Sequence, residues 1–526
     1  MRAISGVLVF SACAVLLVCQ VTAKPLKVFI LAGQSNATGM VHTNTLAHIQ
    51  MFPDTAEAFA ALFDADGNPV ILDDVYVSQW SGKDSGPLAP RYGGGTRGNM
   101  LGPDYPFGIY MHEALDEPFL IIKTSQGGRS LNYHFRSPSA GEWTPPPGHP
   151  DLEEVVVEIL PIPETLDLPA DFVDSEDQIP EVASRRTGSY MGLSGMRGVQ
   201  LDEVNGVHPI GLAFRAGREE RVPGQVFQSG DLIIGLNGAG LGEDAIEQWR
   251  QAYWGARSAD GDWLLNVTRW RNGKIETFDF DIAETLDGGR EALPQHLEAM
   301  KKAAIEREAQ RGGYYRTMIS HVKDVLGDIK SVHPAYDEAA GYEIAGFVWF
   351  QGYNDLVSGG EYPNRDKPRG YEQYTWLLEH FIRDVRNDLD APNMPFVIGV
   401  LGVGGDEDPP SSNLGYFQQA QAAVAHKPEF QDTVANVRTG KYWDQELVAL
   451  IANTGDSQRL KSGDWAKVTG PDGKPVWNEK PSYEDYRTYV LRHAQSDQGY
   501  HYFGSAKIMC GIGKGFAEAM LGLLKE

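Results

Sequence analysis

The sequence predicts an α/β fold on a parallel sheet, interrupted by a small β-rich domain, and three observations predict it. Strand-like and helical runs alternate from Lys24 to about residue 141 and again from about residue 286 to the C-terminus, the grain of stacked α/β layers. Between those stretches, residues 187–285 carry short β-like runs separated by Gly turns. The length, 526 residues, exceeds one ordinary domain and leaves room for an insert.

In chain order, residues 1–23 read as a secretory signal peptide. Arg2 supplies a short positive region, Val7 to Val18 an apolar one, and Val21-Thr22-Ala23 a small-residue cleavage site before Lys24-Pro25. A secreted or periplasmic protein is therefore expected. Cys13 and Cys19 leave with that segment, so Cys510 alone remains and no internal disulfide can form. The formal net charge of −25 argues against nucleic acid and anionic membranes as partners. No later apolar run approaches the ~18 residues of a membrane span, so no stable membrane insertion is expected. There is no CxxC pair and no HExxH, and neither a metal nor another cofactor is expected.

The first α/β stretch, residues 24–141, opens with Val28-Phe29-Ile30-Leu31, a buried-strand signature, which breaks into Gly33-Gln34-Ser35-Asn36. "PFLIIKTSQGG" repeats the strand-then-polar pattern. Residues 142–186, from "EWTPPPGHPDLEE" through "LPIPETLDLPADF", are rich in Pro and acids and read as a linker. In residues 187–285, "GQVFQSGDLIIGLNGAGL" precedes a helical run, Asp244 to Ala256, and a strand pair joined through Arg271-Asn272-Gly273-Lys274. Asn-Gly between two apolar runs is the strongest short hairpin signal. After residue 286 come a helical run from Leu293 to Ile329 broken near Gly312-Gly313, the strand "FVWF", an amphipathic helix from Tyr371 to Leu389, the strand "PFVIGVLG" and a closing helix.

The order of the middle zone, with Gly230-Asp231-Leu232-Ile233-Ile234 and Asn237-Gly238 at its signature positions, resembles a PDZ domain. Either residues 192–198 or residues 209–214 fill the place of its carboxylate-binding loop. The resemblance implies a module that captures an extended peptide or chain terminus, hence a peptide or protein partner.

A serine hydroxyl becomes a nucleophile only when a base takes its proton and donors await the oxyanion. Ser35 alone has a bland reading, since Ser and Asn after a strand commonly cap a helix. Gly127-Gly128 reads equally as a turn, and His501, between Tyr500 and Tyr502, as a packed side chain. Four clusters together say more. "GQSN" (33–36), "QGGRS" (126–130), "QGYND" (351–355) and "DQGYH" (497–501) each close a strand-like run or precede the final helix, and such positions converge at one edge of a parallel sheet. The absence of G-x-S-x-G argues against the nucleophile elbow.

In this order the four clusters resemble the blocks of the SGNH hydrolases, and more closely the carbohydrate and sialate O-acetylesterase branch. The resemblance implies a flavodoxin-like, three-layer α/β/α domain divided into residues 24–141 and 286–526. It implies Ser35 as nucleophile, His501 as base, and the oxyanion donors Ser35 N–H, Gly128 N–H and the Asn354 side chain. Gln34, Arg129 and Gln351 are the candidate substrate-binding side chains, and the substrate is an acetylated carbohydrate. The fourth block departs from the family. Gln498 stands three residues before His501, where the family has Asp, and Asp497 stands four before. Asp497 completes a triad if residues 498–500 loop out; otherwise a backbone carbonyl orients the histidine. A rival reading makes the chain a silent hydrolase fold whose PDZ-like insert is the working part. Trp349 and Cys510 read as core, the acidic loop 404–410 as solvated, and the sequon Asn36-Ala37-Thr38 as unmodified because it overlaps the site.

Overall fold

The computed structural model describes residues 24–80, 84–94, 98–152, 160–168, 197–200, 209–213, 227–228, 230–242, 245–452 and 493–525. The expected signal peptide and residues 192–196 of one candidate carboxylate-binding loop lie outside them. The chain divides into two compact units, one within residues 1–153 and 311–526 and the other within residues 154–310. No helix of the described residues is long and apolar enough to cross a membrane.

Among the described residues the central sheet of the larger unit has seven strands: β1 (Leu26–Gly33), β2 (Leu72–Gln79), β3 (Asp84–Leu88), β4 (Phe119–Ser125), β5 (Tyr342–Phe350), β6 (Phe396–Val400) and β7 (Val434–Arg438). They lie in the order β7-β6-β5-β1-β4-β2-β3. All neighbours are parallel except the β2–β3 pair. The chain winds first to one side of β1, through β2 and β4, and then to the other, through β5 to β7. This is the doubly wound arrangement, and its switch point lies beside β1.

Its helices include α1 (Ser35–Thr38), α2 (Asp104–Leu115), α3 (Gly313–Gly327), α4 (Tyr353–Leu356), α5 (Glu372–Asp388), α6 (Asn413–Ala423) and α7 (Ala506–Lys525). The period-two alternation of a strand assigns them to two faces. Phe347 and Trp349 of β5 meet Phe381 of α5, with ring centroids 6.1 and 4.3 Å apart. Phe350 points the other way, to Phe516 of α7 at 5.3 Å. Phe29 of β1, in register with Gly346, meets Phe107 of α2 at 5.7 Å. With both faces covered, β1 is buried from Val28 to Ala32, which is why it reads as an unbroken apolar run. Burying each such large side chain contributes about 1.5–3 kcal/mol. Trp349 is core, and Cys510 is enclosed in α7, where burial pushes its thiol pKa well up.

The smaller unit holds an antiparallel sheet of Lys274–Asp281, Leu264–Arg271, Leu232–Leu236, Ile210–Ala213 and Arg197–Gln200, in that spatial order, and the helix Ala245–Ala256. The hairpin expected at Asn272-Gly273 is present: Arg271 pairs with Lys274, and both turn residues have positive φ (49° and 78°). Asp231 is fully buried, taking Arg271 Nε at 2.5 Å and the Gln228 N–H at 2.8 Å. Ile210–Ala213, within the second candidate carboxylate-binding loop, is a strand paired on both sides.

The stretch read as a linker makes packing contacts at several of its described residues. Trp143 meets Trp376 at 5.5 Å, and Leu160 bridges to Gly240. Ile162, Leu166 and Leu168 cover Leu232, Ile234 and Trp270, and the Trp270 indole donates to Leu166 O at 3.2 Å. Helix Leu293–Gln310 also belongs to the smaller unit, its Leu293, Leu297 and Met300 joining that unit's core.

Candidate active site

Three of the four clusters reach one place because three strands end in register. Gly33 pairs with Ser125 of β4 and with Phe350 of β5, so residues 34, 126 and 351 leave the same sheet edge together. Gly33 has φ +147°, and a Cβ there would lie 2.1 Å from Phe350 O, a close approach that only glycine permits. Gln34 N–H donates to Phe350 O (3.2 Å) and Gln126 N–H to Gly33 O (3.0 Å), continuing the ladder into the loops.

A cavity of about 440 Å³ opens at this edge, and Ser35, Gly128, Asn354 and His501 all line it, with Gln34, Tyr353 and Tyr500. Ser35 starts α1, whose N-cap is Gln34, and no side chain caps that helix. The capping role read for Ser35 and Asn36 is therefore absent. Asn36 Nδ2 instead donates to Tyr500 O at 3.3 Å, tying the first cluster to the fourth. The far end of α1 is held by Lys123, a fully buried lysine of β4. Its Nζ donates to Thr38 O (2.8 Å), Tyr92 O (2.6 Å) and Asp104 Oδ1 (2.5 Å). Burial pulls the Lys123 pKa down and pushes that of Asp104 up.

Gly128 is exposed with φ +71°, and a Cβ there would meet nothing within 4 Å. The backbone conformation, not crowding by the protein, is what calls for glycine. Asn354 sits on α4, whose start is fixed by the Gln34 side chain. Gln34 Oε1 accepts from Gly352 N (3.2 Å), Asn354 N (3.3 Å) and Gln351 Nε2 (3.2 Å).

His501 Nδ1 lies 3.1 Å from Asp497 Oδ1. The extra residue of spacing is absorbed by a tight loop. Ser496 N and Asp497 N both donate to Phe503 O (2.7 and 2.9 Å), Phe503 N donates to Gln498 O (3.0 Å), and Tyr502 and Phe503 take positive φ (52° and 58°). Two consecutive left-handed residues other than glycine cost about 1–2 kcal/mol each. Buried Tyr502 offsets this, its hydroxyl accepting from Gly402 N at 2.9 Å and sharing a hydrogen bond with Thr439 at 2.6 Å.

Two of the candidate substrate-binding residues have other work. Gln351 is buried and does not line the cavity. Its Nε2 donates to Gln34 Oε1, Arg129 O (3.0 Å) and Asp355 Oδ2 (2.6 Å), while its Oε1 accepts from Tyr374 (3.0 Å). Arg129 lies over the Tyr314 ring at 4.3 Å and donates to the Tyr314 hydroxyl at 2.7 Å. Asp355 is buried behind the site. It accepts from Leu131 N (2.8 Å), Asn132 N (3.2 Å), Gln351 and Tyr362 (3.0 Å), which fixes the segment following Gly128. Burial pushes its carboxyl up to about 6 although those donors favour the anion.

Tyr353, Tyr500 and Lys123 were not anticipated. The two tyrosine rings meet at 5.5 Å, and Tyr500 lies 4.5 Å from the His501 ring. The available signals were the Gly-Tyr pair shared by the third and fourth clusters, and a lysine within the apolar "FLIIKTS". In the acidic loop, Glu407 accepts from the N–H groups of Ser411 and Ser412 (both 3.0 Å) ahead of α6. Among the described residues no group of His, Cys, Asp and Glu is arranged to hold a metal ion.

Residues 299–440 match the family model of the carbohydrate esterases described as sialic acid-specific acetylesterases. That segment contains Gln351 to Asp355 but not Ser35, Gly128 or His501. No curated protein matches the chain. Among solved structures, a protein from Arabidopsis thaliana is similar at 10% identity and TM-score 0.32, over 79% of this chain and 86% of that one. A carbohydrate acetylesterase from Xanthomonas citri is similar at 10% identity and TM-score 0.28, over 82% of this chain and 58% of that one.

Proposed function

We propose that the chain is a secreted, metal-independent serine esterase of the SGNH type that removes acetyl groups from carbohydrate hydroxyls. The observation that carries this reading is the convergence of Ser35, Gly128, Asn354 and His501 on one cavity, with Asp497 against the Nδ1 of that histidine. The match of residues 299–440 to a carbohydrate esterase family supports the substrate class.

In this mechanism Ser35 Oγ attacks the acetyl carbon while His501 Nε2 takes its proton, and Asp497 holds the imidazole in the required tautomer. The carbonyl oxygen becomes an oxyanion held by the Ser35 and Gly128 N–H groups and the Asn354 amide, each donor worth on the order of 3 kcal/mol in the transition state. Collapse breaks the ester C–O bond, and His501 returns the proton to the departing sugar oxygen. Water, deprotonated by the same histidine, then attacks the acyl-serine and releases acetate. The smaller unit, read as PDZ-like, contributes recognition of a peptide or protein partner. Its Asn-Gly turns and the helix Ala245–Ala256 beside an antiparallel sheet support that reading.

Ser35→Ala is expected to lower p-nitrophenyl acetate hydrolysis by about three orders of magnitude or more, and a serine-directed phosphonate should label Ser35 by peptide mass mapping. Wild-type turnover in the alanine variant would overturn the assignment.

A further inference from the structure

A second cavity, of about 620 Å³, lies within the larger unit at the same sheet edge as Ser35. It is lined by Gln79 and Trp80 at the end of β2 and by Arg316, Thr317, Ser320 and His321 of α3, among others. Gln79 is 2% exposed, yet neither its amide oxygen nor its amide nitrogen has a partner among the described residues, and the same holds for His321 Nε2. Leaving such groups unpaired costs about 1–3 kcal/mol each, so they are open to partners that enter the cavity, solvent or ligand.

The lining combines hydroxyls, an amide that both donates and accepts, an imidazole, a partly exposed indole and the charged groups of Asp84, Asp324 and Arg316. An aromatic face beside alternating donors and acceptors suits a pyranose ring, which presents apolar C–H faces and an equatorial belt of hydroxyls. The place fits as well. β2 is two strands from β1 in the sheet, a lateral step of about 10 Å, within reach of a neighbouring sugar in one glycan chain. A chain of contacts runs from one cavity to the other: Arg129, next to Gly128, lies over Tyr314, whose ring meets Trp80 edge-on at 6.2 Å.

We propose that this cavity is a distal saccharide subsite, so that the substrate is an oligosaccharide or polysaccharide carrying its acetyl group some residues away from the unit held at Gln79 and Trp80, not a free monosaccharide. The inference rests on the esterase reading for what happens at Ser35, but binding at the second cavity is separable from it. Ser35→Ala protein is to be screened on an array of acetylated and unacetylated oligosaccharides, with Trp80→Ala and the near-isosteric Gln79→Met added in the same background. Hydrolysis of p-nitrophenyl acetate is followed in the two single variants.

Binding of at least one oligosaccharide class is expected, weakened about tenfold or more in both variants, with p-nitrophenyl acetate turnover unchanged. Absence of binding to every oligosaccharide, or binding indifferent to both substitutions, overturns the subsite. Glycan binding that depends on Trp80 in a wild-type chain unable to cleave p-nitrophenyl acetate would uphold the subsite and defeat the esterase reading.

Discussion

His501 offers two nitrogens, and what its Nδ1 meets decides whether its Nε2 can take a proton from Ser35. With Asp497 Oδ1 at 3.1 Å, Asp497→Asn is expected to leave the fold intact while lowering kcat by about two to four orders of magnitude, through the wrong tautomer. Near-UV circular dichroism with steady-state kinetics checks both parts, and a kcat within about threefold of wild type would assign the orientation of His501 to another group. At this scale the sequence was informative where chemistry restricts residue type. Ser35, Gly128, Asn354 and His501 stand in recognisable blocks. It was less informative about reasons: Gly128 is needed for its φ of +71° in open space, and Gln351, polar and adjacent to the site, turns inward. A side chain's direction depends on partners from other parts of the chain, here Gln34, Tyr374 and Asp355.

Among the elements, the loop carrying Gly128 is held from below by Asp355. Burial raises its carboxyl to about 6, above the usual carboxylate value, so the folded state binds the proton more tightly than the unfolded chain does. The stability contribution is therefore fully present below about pH 4, is lost as pH rises to about 6 and stays constant above that; a shift of about two units corresponds to about 3 kcal/mol. Asp355→Asn should remove this slope, so the difference in unfolding free energy between variant and wild type should change between pH 4.5 and pH 7, as measured by urea titration. A difference independent of pH would mean that Asp355 titrates normally in the fold. Strands and turns with strong local signals were legible: β1 from its apolar run, the Asn272-Gly273 hairpin, and the helix around 372–388. β2, "LDDVYVSQ", was not, because its acids mask a strand that borders β4. Ile162, Leu166 and Leu168 were missed because Pro and acidic neighbours hid three apolar residues that find their partners some 70 to 100 positions downstream.

For the whole molecule, those packed residues redraw the insert. Removing residues 187–285 would strip Ile162, Leu166 and Leu168 of the sheet they cover and leave helix Leu293–Gln310 without its core. Replacing residues 154–310 by a flexible Gly/Ser bridge removes one compact unit entire. That deletion should remain folded and hydrolyse p-nitrophenyl acetate within about threefold of the full chain, while the shorter deletion should aggregate through its exposed apolar surface. Size-exclusion chromatography and kinetics check both outcomes, and loss of activity in the folded longer deletion would give the smaller unit a part in the site.

Asn36 is 2% exposed and bonded to Tyr500, a residue 464 positions later in the chain. Synthesis proceeds from the N-terminus, so the sequon Asn36-Ala37-Thr38 emerges long before the segment that buries it exists. In a eukaryotic secretory host, glycan transfer and completion of folding therefore compete for the same nitrogen. The sequence reading leaves this sequon bare, but the late arrival of Tyr500 changes that expectation: secretion from yeast should yield two populations, an active one with bare Asn36 and an inactive one carrying a glycan there, whereas bacterial expression should yield only the first. Intact-protein mass spectrometry with activity measured on each fraction checks this, and a fully active glycoform would show that the cavity tolerates what its geometry excludes.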